Sequence, residues 1–186
     1  MNNIKRIKTP LTKDKVYNLK CGEFVYITGY IYTARDAAHK RLINLINNNE
    51  KLPFDLKDQI IYYVGPSPKR PQKIIGAAGP TTSYRMDDMT PPLLDKGLKG
   101  MIGKGNRNRS VIESIKKNNA VYFAAIGGIG AVISSCIKST EIISYKELGP
   151  EAIRRLFVED MPVVVAIDNK GRNIYEIEKK KFRRQS

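Results

Sequence analysis

The feature that most limits the fold is an alternation of two hydrophobic periods along one chain. Residues 23–33, EFVYITGYIYT, are rich in β-branched and aromatic side chains and read as a strand. Gly29 inside that run marks a bulge or a close backbone approach. Residues 35–48 then place Ala38, Leu42, Leu45 and Ile46 at helical spacing and end in Asn47-Asn48-Asn49, with Thr33 or Asp36 as the expected cap. The exchange recurs. Strands are expected at 60–64, 74–78, 101–102, 120–126 and 141–145, and helices at 110–117, 131–137 and 150–158. Residues 82–95 should be helical in part, with Pro91-Pro92 opening a second short helix capped by Thr90. Residues 110–113, SVIE, fit a capping box. A closing hairpin, 162–167 with 173–177, would turn at Asp168-Asn169-Lys170-Gly171. This alternation predicts an α/β domain with a mixed sheet. Residues 1–15 read as an N-terminal arm, 16–177 as a single domain and 178–186 as a basic, frayed tail.

The 186 residues, 41% hydrophobic and 27% charged, suffice for one domain with its own core. No apolar stretch approaches the roughly 18 residues of a membrane span, and the N-terminus lacks the apolar core of a signal peptide, so cytosol is the expected location. Lysine and arginine outnumber aspartate and glutamate by 33 to 18, a net charge of +15 that suits nucleic acid, anionic substrates or an acidic partner. Part of that excess lies in Asn/Ile/Lys-rich stretches and part in the run Lys179-Lys180-Lys181-Phe182-Arg183-Arg184. Aromatic residues do not interleave with basic ones as a stacking motif, which counts against a nucleic-acid module. The chain has two cysteines, Cys21 and Cys136, and one histidine, His39, too few to ligate a structural zinc or an iron–sulfur cluster unaided. Cys136, in an apolar run, is expected to be a buried thiol, and no disulfide is expected. Any metal used would be held mostly by another polypeptide.

The chemistry-bearing residues gather in 73–109. Gly103-Lys104-Gly105 is not a Walker A loop, because Leu98 and Gly105 stand where Gly and Ser/Thr are needed. Gly128-Ile129-Gly130 is not a dinucleotide fingerprint, because Ile133 replaces the third small residue. Thr81-Thr82-Ser83 follows the break at Gly79-Pro80, where hydroxyls and free N–H groups suit a carboxylate or phosphate. Arg35, Arg85 and Lys104 fall at or near element ends and can converge on a dianion. His39, four residues after Arg35, shares its helix face. The same residues also suit helix capping and solvated surface charge, and taken alone they leave both readings open.

YTARDAAHKRL (32–42), YYVGPSP (62–68), GAAGPTTSYRMD (76–87), GMIGKGNR (100–107) and FAAIGG (123–128) occur in that order. Together they resemble the β subunit of class I iron–sulfur hydro-lyases, a family of two-subunit fumarate hydratases and L(+)-tartrate dehydratases. The same region forms the C-terminal domain of single-chain class I fumarases. The resemblance implies a swivelling β/β/α domain and a partner α subunit that carries the cysteine ligands of a [4Fe–4S] cluster, with no metal ligand in this chain. It implies a small dicarboxylate substrate, fumarate or tartrate, in a homo- or hetero-oligomer. It assigns substrate binding to Arg35, Thr82, Arg85 and Lys104, and the role of base to Thr81.

Overall fold

The computed structural model describes residues 5–69, 71–125 and 130–183, with side chains to 179. Seven strands form one mixed sheet: β1 (Lys5–Lys8), β2 (Phe24–Thr33), β3 (Ile60–Tyr62), β4 (Gly100–Gly103), β5 (Val121–Ala125), β6 (Ile137–Ser144) and β7 (Ile153–Ile167). β2, β3, β4 and β5 pair in parallel, each with the next. β7 pairs antiparallel with both β5 and β2. Those five pairings close a ring, with β1 and β6 added to its outside. A ring has no open edge among its members, which removes the edge-strand hazard for the short central strands.

Alternate residues along the ring strands enter two cores. Val25, Ile27, Ile31, Ile60, Tyr62, Ile102, Val121, Phe123, Leu156, Val163 and Val165 form one buried cluster. Their neighbours Ile61, Tyr63, Met101, Tyr122 and Ile167 face the other way, into a second. There they meet four helical segments: α2 (Asp36–Asn47), a 3-10 helix (Ser83–Met89), α3 (Thr90–Asp95) and α4 (Arg109–Asn118). The order is therefore strand layer, strand layer, helix layer, as the resemblance implied. Burying each large aliphatic side chain contributes about 1.5–3 kcal/mol, so the two clusters supply most of the driving force. No helix among the described residues is long and apolar enough to cross a membrane.

Several expectations are corrected. The expected N-terminal arm belongs to the fold. β1 pairs in parallel with Val25–Thr28 of β2, and α1 (Lys13–Tyr17) brings Val16 into the first core beside Leu11. Gly29 does interrupt the register of β2, and at φ 126° a side chain there would crowd the Thr9 backbone nitrogen at 3.2 Å. Residues 74–78 are not a strand. Ser67 and Ala77 instead bond to each other, Ser67 N donating to Ala77 O at 3.0 Å and Ala77 N to Ser67 Oγ at 2.9 Å, because β3 and β4 already pair directly. Residues 153–158 are strand rather than helix, with Leu156 and Val158 buried at period two and Asp160 in the left-handed region at φ 46°. The terminal hairpin is reduced to one bridge, Ile167 with Asn173. Its second arm is helix α6 (Ile174–Arg183), the next helix in the chain after α5 (Gly130–Cys136), and it also takes in most of the expected frayed tail. The tail's last residues, 184–186, lie outside the described residues, as do residues 126–129 of the glycine-rich segment.

The caps differ as well. α2 starts after Arg35 with no side-chain cap, and Thr33 Oγ1 instead accepts from Arg154 N at 3.0 Å. Asn108, not Ser110, caps α4, accepting from Val111 N at 3.0 Å. Thr90 donates to Met86 O at 2.8 Å from inside its helix. Cys136 is half-buried rather than buried.

Candidate active site

Because β2, β3 and β4 run in parallel, their carboxyl ends lie on one side of the ring, the usual place for ligands in parallel sheets. Arg35 leaves the end of β2, and Lys104 leaves the end of β4. Between them, residues 81–83 extend the pairing. Thr81 N donates to Tyr63 O at 2.7 Å, Lys104 N to Thr81 O at 3.3 Å and Ser83 N to Lys104 O at 3.0 Å. Thr82 and Lys104 thus form an isolated parallel bridge. The backbone sets Thr81 and Thr82 beside Lys104, and no side-chain hydrogen bond engages either threonine hydroxyl among the described residues.

Two glycines permit this closeness. A side chain at Gly103 would meet the Ser83 hydroxyl and come within 3.0 Å of Tyr63 Cδ2. One at Gly65 would come within 2.5 Å of Arg35 Nη1. Ser83 departs from its expected place in the anion site. It is buried, and its hydroxyl pairs with Tyr122 OH at 2.9 Å, which in turn donates to Gly105 O at 2.8 Å. It braces the glycine-lysine-glycine turn.

Arg35 and Arg85, 50 positions apart in the chain, meet through acids. Arg85 Nε lies 3.3 Å from Asp36 Oδ1, and Arg35 Nη2 lies 3.7 Å from Asp36 Oδ2 and 3.5 Å from Glu151 Oε1. Glu151 Oε2 also accepts Ala37 N at 2.8 Å. The side chains of Arg35 and Arg85 remain 22% and 39% exposed, so the group sits at the surface of this chain, not in an enclosed pocket. Sequence reasoning weighed Asp36 only as a cap and did not single out Glu151.

His39 lies behind this cluster. It is fully buried, packs edge-on to Tyr63 with ring centroids 5.3 Å apart, and places Nδ1 3.0 Å from Arg35 O. A carbonyl only accepts, so Nδ1 carries the proton; Nε2 is buried without a partner among the described residues. Burial, aided by the charge of Arg107 and opposed by the Arg35 carbonyl and Asp36, pulls its pKa down to about 4. Near neutral pH it is a neutral support for the Arg35 backbone.

A third arginine was missed altogether. Arg107 is 3% exposed, and its guanidinium donates to Asp87 Oδ1 at 2.5 Å, Thr90 Oγ1 at 2.7 Å and Tyr63 OH at 3.3 Å. Asp87 Oδ2 accepts Asn108 N at 2.7 Å. This pair ties the segment carrying Thr81, Thr82 and Arg85 to the loop carrying Lys104.

The described residues offer no group of three or more His, Cys, Asp or Glu that could hold a metal. Cys21 is pushed up to about 11 by burial and by Asp168, partly offset by Arg172, and burial also raises Cys136. Raised thiols are the reverse of what cluster-ligating thiolates need. These residues do not fit an iron–sulfur cluster.

An α/β ring thus presents three cations and two threonines near the carboxyl ends of its parallel strands, a set of groups chemically suited to an anion. The chain belongs to the fumarase C-terminus family, whose model matches residues 2–178. A Methanocaldococcus jannaschii chain provisionally named L(+)-tartrate dehydratase subunit beta is 40% identical over 177 residues, covering 92% of this chain and 91% of that one. A Geobacillus stearothermophilus protein provisionally named fumarate hydratase class I is 36% identical over 186 residues, but this chain spans only 35% of it. The aerobic class I fumarate hydratase of Escherichia coli K12 is 40% identical over 152 residues, which cover 81% of this chain and 28% of that enzyme.

Proposed function

We propose that this chain is the β subunit of a class I fumarate hydratase, catalysing the reversible hydration of fumarate to L-malate with an α subunit that carries a [4Fe–4S] cluster. One observation carries the reading. Arg35, Arg85 and Lys104, from three separate elements, gather with Thr81 and Thr82 at one end of the parallel strands. A dicarboxylate needs at least two such cations, and arginine grips a carboxylate through two parallel hydrogen bonds. The site is open at the surface of this chain, which suits one half of a site that a second subunit completes.

In this scheme Arg35, Arg85 and Lys104 bind the two carboxylates. In the dehydration direction Thr81 takes the C3 proton of malate and negative charge spreads into the adjacent carboxylate; the C2–C3 double bond then forms as the C2 hydroxyl departs, a departure that the cluster on the α subunit would assist as a Lewis acid. The cations stabilise that charge where it develops, the kind of interaction worth about 10²–10³ in rate for each donor. A threonine oxygen is basic only as its alkoxide, so Thr81 depends on those cations. Thr82, bridged to Lys104, contributes a further hydroxyl to the substrate.

A second reading, dehydration of L(+)-tartrate to oxaloacetate, is favoured by the relative of nearly the same length that carries that name. The test is co-expression with an α-type chain and anaerobic assay of both reactions. Fumarate hydration exceeding tartrate dehydration supports the first reading, and the reverse supports the second. Turnover of neither by an iron-replete complex contradicts both.

A further inference from the structure

The two arginines assigned to the substrate carboxylates carry like charge and come from different elements, one at the start of α2 and one in the 3-10 helix. Left alone they repel, and their long side chains would fan out into water. Asp36 stands between them. One carboxylate oxygen faces Arg85 Nε at 3.3 Å and the other faces Arg35 Nη2 at 3.7 Å. Glu151 restrains Arg35 from its other side at 3.5 Å and is itself fixed by Ala37 N at 2.8 Å.

We propose that Asp36 is a positioning residue of this site, a built-in carboxylate that holds Arg35 and Arg85 together so that both can meet one dicarboxylate. The inference rests on the hydro-lyase reading above. Its geometry supports an indirect role. Asp36 occupies the Nε side of Arg85 and leaves the Nη1–Nη2 edge unpaired among the described residues, and that edge can grip a carboxylate bidentately. The ion pairs are long, and Arg35 Nε and Asp36 Oδ2 are buried without hydrogen-bond partners among the described residues. Asp36 therefore orients these guanidiniums without saturating them. Asp36 also lies in the first turn of α2, where a negative charge favours the helix. A purely helical role would act on stability and leave ligand affinity alone.

The experiment uses the assembled α–β complex and compares wild type, Asp36→Asn and, as a remote control, Glu113→Gln on α4. Three readouts are taken: KM and kcat for the substrate the wild type turns over, calorimetric binding of succinate as a non-reacting dicarboxylate, and the urea midpoint. Asp36→Asn keeps the shape and removes the charge. It is expected to raise both KM and the succinate Kd at least about tenfold and to lower kcat alongside them, with the urea midpoint close to wild type. Values of KM and Kd within about twofold of wild type overturn the proposal. Asp36→Ser, which keeps a residue suited to a helix start, serves under the same thresholds if Asp36→Asn lowers the midpoint. A wild-type complex that neither turns over fumarate or tartrate nor binds succinate would instead overturn the functional reading.

Discussion

Arg107 and Arg35 each sit against aspartate within the same helix-side layer, yet they are held in opposite ways. Arg107 is wholly enclosed, and Asp87, Thr90 and Tyr63 engage its nitrogens at 2.5, 2.7 and 3.3 Å. It also stacks over the Tyr63 and Tyr122 rings at 5.3 and 5.1 Å. Arg35 is partly exposed, its acids stand 3.5 and 3.7 Å away, and its Nε has no partner among the described residues. A buried cation must be satisfied internally, because leaving it unpaired costs several kcal/mol. A ligand-binding cation must keep bonding capacity in reserve. Saturation thus separates the arginine that holds the fold from those proposed to grip an anion.

Arg107→Met breaks this contrast most severely. It strands Asp87 in the interior, so urea unfolding should show a loss of about 3–5 kcal/mol. Adding Asp87→Asn should recover a substantial part of it, since the uncompensated charge is then gone. A single-variant loss below about 1 kcal/mol, the range of an exposed pair, would mean that Arg107 is no more structural than Arg35.

His39 sharpens the contrast from the side of Arg35. In the unfolded chain it protonates near pH 6.5, but in the fold it resists until about pH 4. The unfolded state therefore binds the proton first. The stability this residue contributes is complete above pH 6.5 and falls as the pH drops through that window, by on the order of 3 kcal/mol. Urea titrations at pH 7, 5.5 and 4.5 should show the decline in wild type and a flatter profile in His39→Gln. Parallel profiles would mean that the buried imidazole is not the titrating group.

The smallest effect lies at the edge of the Arg107 network. Asn108→Ala removes the α4 cap and should cost about 1 kcal/mol in urea unfolding while leaving turnover of the complex unchanged. A loss of turnover would show that the fold-holding network and the ligand-holding cluster are coupled.

The ring strands β2 to β5 and helices α2 and α4 were legible because their apolar periods are long or clearly bounded. Arg35 and Lys104 were legible as residues at strand ends, whereas Thr81, Thr82 and Arg85 were expected after a strand at 74–78 that does not form, and the bridge of Thr82 to Lys104 sets their place instead. β7 was misread over 153–158 because Ile153, Leu156 and Phe157 fall at helical spacing after Pro150, which suits a helix start, and mask the two-residue period of Leu156 and Val158. Asp160 also has the look of a break, yet lies within the strand. α6 was misread as a strand although Asn173 supplies a start signal, its Oδ1 accepting from Tyr175 N at 3.0 Å. The burial of Arg107 left no trace in GKGNRNR, where every cation looks solvated. The oxygens that accept from its guanidinium lie 17 to 44 positions away. Asp36 and Glu151 were obscured in the same way, since acids that organise arginines have no local spacing to betray them.

The most direct test is Arg85→Ala in the assembled complex, with turnover and the unfolding free energy measured on the same preparation. If Arg85 is held in reserve for substrate, turnover should fall by about 10²-fold or more while unfolding shifts by less than about 1 kcal/mol. Near-normal turnover, or a loss of activity matched by a comparable loss of stability, would contradict a substrate-binding role for this cluster.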